Sequence, residues 1–282
     1  MRTSTRMVVL GGFKGVLDLI SVIASAAYGL RRLRRLYTGF CIRVRRSSDN
    51  SELDIGFIGE DLDVVTLLAF VGSGSGFVTI WYDQSGNGRH ATQATAGRRP
   101  RIVSNGVVDL INSKPSLVFS GNQWLLASVA SSGITGALVS AVFQSTEPTS
   151  TQQMFDWRKT GNTTPLIDDG AAGGFALRVR NDDVQLIGTA PSAFNANPHV
   201  YSGVWNNGLL DVRLDGGTSA TANVSGQLTL DLLGIGTNGA TPGTNNWSGR
   251  TSEMLTSTVL ISAAARQALE RNQGAYYGIT VA

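Results

Sequence analysis

The stretch 79-TIWYDQSGNGRHATQATAGRRPRIV-103 decides the fold, because a strand-like run breaks there into a polar, glycine-rich turn. Trp81 and Tyr82 end the run, Asp83, Gln84, Ser85 and Gly86 form the turn, and small polar residues follow His90. An aspartate two residues ahead of a serine in such a turn accepts backbone N–H groups more readily than it titrates as an acid. The stretch therefore reads as the corner of a β-sandwich, with the rings of Trp81 and Tyr82 buried and Asp83 to Gly86 organising the backbone. No GxSxG elbow accompanies His90, so a serine-based triad is not indicated.

Composition agrees with that corner. The chain has 282 residues, 42% of them hydrophobic and only 15% charged, with 34 glycines against 7 prolines. These proportions suit short antiparallel strands joined by tight turns, and they exclude disordered and collagen-like classes. A single cysteine, Cys41, rules out an internal disulfide framework, and two histidines, His90 and His199, offer no zinc spacing. The pairs Asp168–Asp169 and Asp182–Asp183 read as solvated turns rather than calcium ligands. No metal and no cofactor is expected.

Runs of strand character recur between turn signals at 77–83, 116–120, 137–145, 153–158, 174–180, 184–188, 199–216, 228–236 and 254–261. So many short strands in one unit predict two packed sheets, a jelly roll spanning residues 38–282. A short helix is expected over 61–72, capped by Asp61 and stopped by Gly72, and a second over 262–279, opening at Ser262 and ending at Gly278.

The N-terminal end differs in charge. Residues 1–50 carry ten Lys or Arg against Asp18 and Asp49. Val16, Ile20, Ile23, Ala27 and Leu30 recur at helical spacing, which predicts an amphipathic helix from Val16 to Tyr37 within an apolar, basic arm over 1–37. Such an arm can pack on its own sandwich or dock on a neighbouring subunit. Lys14 and Asp18 interrupt the apolar run, so neither a signal peptide nor a membrane span is indicated. In 40-FCIRVRR-46, Phe40, Ile42 and Val44 alternate with Arg43 and Arg45 as in a strand, and without interleaved aromatic residues the arginines do not indicate nucleic-acid binding.

Three motifs carry a resemblance. YDQSGNG at 82–88, FDW at 155–157 and LGIG at 233–236 together resemble the catalytic domain of glycoside hydrolase family 54, the α-L-arabinofuranosidases. The likeness runs from about Ala27 to Ile279 and implies a concanavalin A-like jelly roll. The chain's ending also resembles laminin-G-like domains of bacteriophage structural proteins. The family resemblance places a catalytic glutamate at a position that here falls on Ala176, and a catalytic aspartate just after LGIG, where Thr237 and Asn238 stand. A cysteine pair that the family places before FDW is replaced by Gln153 and Met154.

Because a retaining glycosidase needs two carboxyl groups, these departures lead to an expectation of a fold without its reaction. Asp83, Asp156, Asp168, Asp169 and Asp215 remain as other carboxylates. The leading expectation is a non-catalytic structural protein of a tailed-phage virion, a tail-fibre, tail-tip or capsid-decoration subunit, with its arm anchored on other virion proteins or on copies of itself, as in a trimer. The alternatives are a carbohydrate- or receptor-binding module contacting a host-surface glycan through Trp124, Trp205 or Trp247, and a secreted arabinofuranosidase-like glycosidase with relocated carboxylates.

Overall fold

The computed structural model describes residues 14–20, 22–147, 152–160, 167–171, 174–181, 184–189, 195–218, 220–223, 225–237 and 246–282. Its strands pair antiparallel into one strongly curled sheet that folds over itself as a jelly-roll sandwich. One layer runs, in spatial order, Glu52–Ile55, Ile42–Arg46, Gly76–Trp81, Ala91–Thr92, Leu125–Ile134, Leu228–Ile235, Phe155–Arg158, Ile167–Ala171, Gly174–Asn181 and Val184–Thr189. The other layer centres on Ser248–Ser257, flanked on one side by Leu117–Ser120 and Ala26–Gly29 and on the other by Gly136–Ser145, Pro198–Asn206, Leu209–Leu214 and Ala220–Ala222. Arg101–Ser104 links the layers, pairing with both Gly76–Trp81 and Leu117–Ser120.

Alternation decides what faces inward. In Phe155–Arg158, Phe155 and Trp157 enter the core, and Trp81, Ile42, Val44, Leu125, Leu233 and Ile235 do the same from neighbouring strands. Trp157 and Trp205 are buried with Tyr28, Tyr201, Phe119 and Phe143. Rings of this size dominate core energetics, and truncating one to alanine costs about 3–5 kcal/mol. Trp157 also donates its indole N–H to the Val129 carbonyl at 3.0 Å, which satisfies its one polar atom.

The helices are short except at the C-terminus. In α2 (Val64–Val71) the Asp63 carboxylate caps the Thr66 N–H at 2.9 Å, and Gly72 ends the helix at φ 65. The cap is thus Asp63 rather than Asp61, which lies in a two-residue strand and binds Lys114 and Tyr276 instead. Helix α3 (Ala263–Tyr277) opens with the Ser262 hydroxyl accepting the Ala265 N–H and closes at Gly278 in the left-handed region, φ 64.

The N-terminal reading needs correction. Of the helix expected from Val16 to Tyr37, only α1 (Val16–Leu19) forms, and Ala26–Gly29 is a strand paired in register with Glu253–Thr256. Ala26, Ala27 and Tyr28 are completely buried, so sheet pairing outweighs alanine's helix propensity there. The boundary drawn at residue 37 therefore cuts through the sandwich. Val16, Ile20, Ala27 and Leu30 pack inside this same chain, and Ile23 is 69% exposed.

Candidate functional site

The corner loop fastens the N-terminal strand. Asp83 Oδ1 accepts the N–H groups of Ala27 (2.9 Å) and Ser85 (2.8 Å), and Oδ2 accepts the Ser85 hydroxyl (2.7 Å) and the Arg89 N–H (3.0 Å). Gln84, fully buried, donates to the carbonyls of Gly29 and Arg31 and accepts the Leu33 N–H at 2.8 Å. All of Asp83's acceptor capacity goes into backbone and neighbouring hydroxyl contacts, so this carboxylate holds shape. Trp81 is buried, Tyr82 is half-buried, and Gly86 sits at φ 96, where glycine carries no steric cost.

A different set of carboxylates lines up across the first layer. Antiparallel register pairs Asp54 with Arg43, Arg43 with Ile80, Ile80 with Thr92, Thr92 with Leu126, Leu126 with Gly234, Gly234 with Asp156, Asp156 with Asp168, and Asp168 with Arg178. Directly paired residues share one face of a sheet. The sequence neighbours Ile42, Ile55, Trp81, Ala91, Leu125, Ile235 and Phe155 point into the core, so this row belongs to the layer's outer face.

At one end of the row Asp156 and Arg158, two residues apart, are both fully buried and ion-paired, with Arg158 Nε donating to Asp156 Oδ2 at 2.8 Å and Nη2 reaching the same oxygen. A buried charge is tolerated only when it is paired, and here Asp156 and Arg158 pair with each other. Asp168 stands opposite Asp156, and residues directly opposite in an antiparallel ladder have Cβ atoms about 4.5–5.5 Å apart. Near this end, where the Leu125–Ile134 strand shifts register against Leu228–Ile235, a cleft of about 240 Å³ opens, lined by Ala130, Ser131, Ser132, Thr229, Leu230 and Asp231. Asp231 accepts the Thr160 N–H and hydroxyl at 2.6 and 2.7 Å.

At the other end Arg43 forks onto Asp54, Nε to Oδ1 at 2.8 Å and Nη2 to Oδ2 at 2.6 Å, and the Tyr82 hydroxyl donates to Oδ1 at 2.6 Å. The Arg43 guanidinium holds the Asp54 carboxyl below the usual carboxylate range. Partial burial, and then the Asp54 carboxylate, push the Tyr82 phenol up to about 12.

The tryptophans take varied places. Trp205 and Trp247 are buried, Trp247 edge-on to Phe143, so neither offers a face to a glycan. Trp124 is half-buried beneath the Arg98 guanidinium, 4.9 Å from its ring centroid. Ala176 lies in the Gly174–Asn181 strand opposite Thr189, Thr237 is buried against Asn246, and Asn238 lies outside the described residues, as do Asp182 and Asp183. Asp215 accepts from His199 at 2.6 Å, away from this row.

The fold is a curled jelly roll whose first layer sets Asp156 opposite Asp168 in register. Comparison narrows the class: the profile of the catalytic domain of α-L-arabinofuranosidase B matches residues 22–164, half of the chain, and the chain belongs to that family. The probable α-L-arabinofuranosidase B of Aspergillus flavus is 39% identical over 85 residues, covering 29% of this chain and 17% of that protein. The α-L-arabinofuranosidase B of Aspergillus oryzae is 38% identical over the same length. A glycoside hydrolase family 54 α-L-arabinofuranosidase soaked with a cyclic sulfate inhibitor shares the fold at TM-score 0.69 and 16% identity, covering 91% of this chain and 63% of that one. An arabinofuranosidase complexed with arabinofuranosyl-α-1,2-xylobiose matches at TM-score 0.67. The chain thus spans less than two thirds of these relatives' length.

These matches overturn the leading expectation. The chain belongs to a family of glycosidases and shares the fold of its members, which corrects the expectations of a virion structural subunit and of a non-enzyme, and this family lends no support to a virion location.

Proposed function

We propose that this chain is the catalytic unit of an extracellular α-L-arabinofuranosidase, a glycoside hydrolase that removes arabinofuranosyl groups from polysaccharide. The observation that carries the reading is the match of the α-L-arabinofuranosidase B catalytic-domain profile to residues 22–164, beside which the cross-strand register sets Asp156 opposite Asp168. A retaining glycosidase needs carboxyl groups about 5–5.5 Å apart, whereas an inverting one leaves about 6.5–9.5 Å for water. The ladder sets the Cβ atoms of the two aspartates about 4.5–5.5 Å apart, within reach of a shared substrate. In this reading Asp156, ion-paired with Arg158, is the nucleophile, and Asp168 protonates the leaving oxygen and then activates water. The acid pair stands one strand pair away from Ala176 and Thr237, where the family resemblance places it.

The test is release of nitrophenolate from 4-nitrophenyl α-L-arabinofuranoside by the purified chain and by Asp168→Asn and Asp156→Asn. Turnover by the wild type with a loss of about 10²–10⁴-fold in Asp168→Asn is the expected result. A wild type that releases nothing, or an Asp168→Asn variant at full activity, would overturn the assignment.

A further inference from the structure

The far end of the same outer face carries features that the reaction at Asp156 and Asp168 does not use. Phe40 is 48% exposed, its ring centroid 6.1 Å from that of Tyr82, and Tyr82 in turn meets the exposed His90 ring edge-on at 4.9 Å. His90 Nδ1 accepts the Asp83 N–H at 3.1 Å, which assigns the ring proton to Nε2, where it is free to donate. Arg43 commits Nε and Nη2 to Asp54, leaving Nη1 as a donor on a side chain 39% exposed. Apolar rings interspersed with fixed donors and a carboxylate acceptor are what a sugar ring requires, since its C–H face is apolar and its rim is hydroxylated.

Position gives the cluster its meaning. From Asp156 to Arg43 the row crosses five strand spacings, an arc of about 24 Å at roughly 4.8 Å each, without leaving the outer face. An arabinofuranosyl branch is a small group at one point of a long polymer, so the rest of that polymer must lie along some surface beyond the branch.

We propose that Phe40, Tyr82 and His90, with the Arg43–Asp54 pair, form a distal subsite that holds the backbone of an arabinose-bearing polysaccharide. The choice of ligand rests on the glycosidase reading above. Two of the cluster's rings are held by hydrogen bonds, Tyr82 through Asp54 and His90 through the Asp83 N–H. The cluster therefore offers a preformed surface, which lowers the ordering cost of binding.

The experiment uses the full chain and two variants of exposed residues, Phe40→Ala and His90→Ala, in native gels containing arabinoxylan and in turnover of arabinoxylan and of 4-nitrophenyl α-L-arabinofuranoside. Thermal unfolding checks that both variants fold as the wild type does. Loss of a ring contact is expected to weaken gel retardation about tenfold and to raise KM for the polymer by the same factor relative to KM for the aryl glycoside. A wild type that arabinoxylan does not retard, or variants retarded as strongly as the wild type, would overturn the subsite. A wild type that is inert towards the aryl glycoside yet retarded by arabinoxylan, with the retardation lost in the variants, would sink the catalytic assignment and leave the subsite standing.

Discussion

The two outer faces of the sandwich use charge in opposite ways. Helix α3 covers the layer centred on Ser248–Ser257, and beneath it Arg31 meets Glu253 at 2.8 Å, Gln273 bridges Ser140 to Glu253, and Arg266 binds Glu270, Asp211 and Ser202. These buried side chains tie the helix to the sheet, with only Asp211 at the network's edge partly exposed. On the opposite face Thr92 is exposed and Ile80, Leu126, Arg43 and Asp54 are half-exposed, while Gly234 and Asp156 at the other end of the row are buried. Charge under the helix fastens the fold, whereas the Arg43–Asp54 pair on the opposite face stays partly open to solvent.

The largest test of this contrast is Glu253→Ala. Removing Glu253 leaves the buried Arg31 guanidinium with only the half-exposed Glu60 as a counter-charge, and urea unfolding is expected to show a loss of about 3 kcal/mol. Turnover per folded molecule should not change, and a change would mean that the closed face takes part in the reaction. Next is Asp83→Asn, which turns the Oδ2 acceptor into a donor facing the Ser85 hydroxyl and the Arg89 N–H. An unsatisfied buried group costs about 1–3 kcal/mol, again read by urea unfolding, and an unchanged midpoint would refute the role of Asp83 in holding the corner.

The pH dependence of the open face should be weaker. Because Asp54 is held below its unfolded pKa of about 3.9, its pairing stabilises the fold above that pH and is lost as pH falls beneath it. With Arg43 partly exposed the contribution is at most about 1 kcal/mol, measurable as a smaller acid-induced drop in stability in Asp54→Asn than in wild type. The smallest signal belongs to Tyr82, raised to about 12: its stabilising hydrogen bond is complete below about pH 10 and lost as pH climbs through 12. In Tyr82→Phe a late-titrating component of the ultraviolet phenolate absorbance should vanish, and an unaltered titration curve would contradict its pairing with Asp54.

How much of this could be read from sequence follows from period and pairing. Alternation in 137-ALVSAVFQS-145 and the Asn207–Gly208 turn between two apolar runs mark a hairpin strand system, and Ser262 and Gly278 mark both ends of α3. The strand Leu125–Ile134 escapes notice because its serines and alanines carry little β-propensity, and Ala26–Gly29 reads as helix for the same local reason. Sequence period tells which face a residue takes but not which strand lies beside it. The outer row joins residues from 43 to 234, so its carboxylate pair and its aromatic end come together only through the ladder. The arginine run at 31–46 is likewise split by the fold: Arg31, Arg43 and Arg46 find Glu253, Asp54 and Asp49.

The strand Ala26–Gly29 sets an order of events during synthesis. It leaves the ribosome more than two hundred residues before its ladder partner, Glu253–Thr256. Contacts separated this far along a chain close late, because loop entropy must be offset before they form. A nascent chain halted before residue 248 would lack the central strand of its layer, and limited proteolysis of such stalled chains should find the N-terminal segment open to cleavage that the finished protein resists.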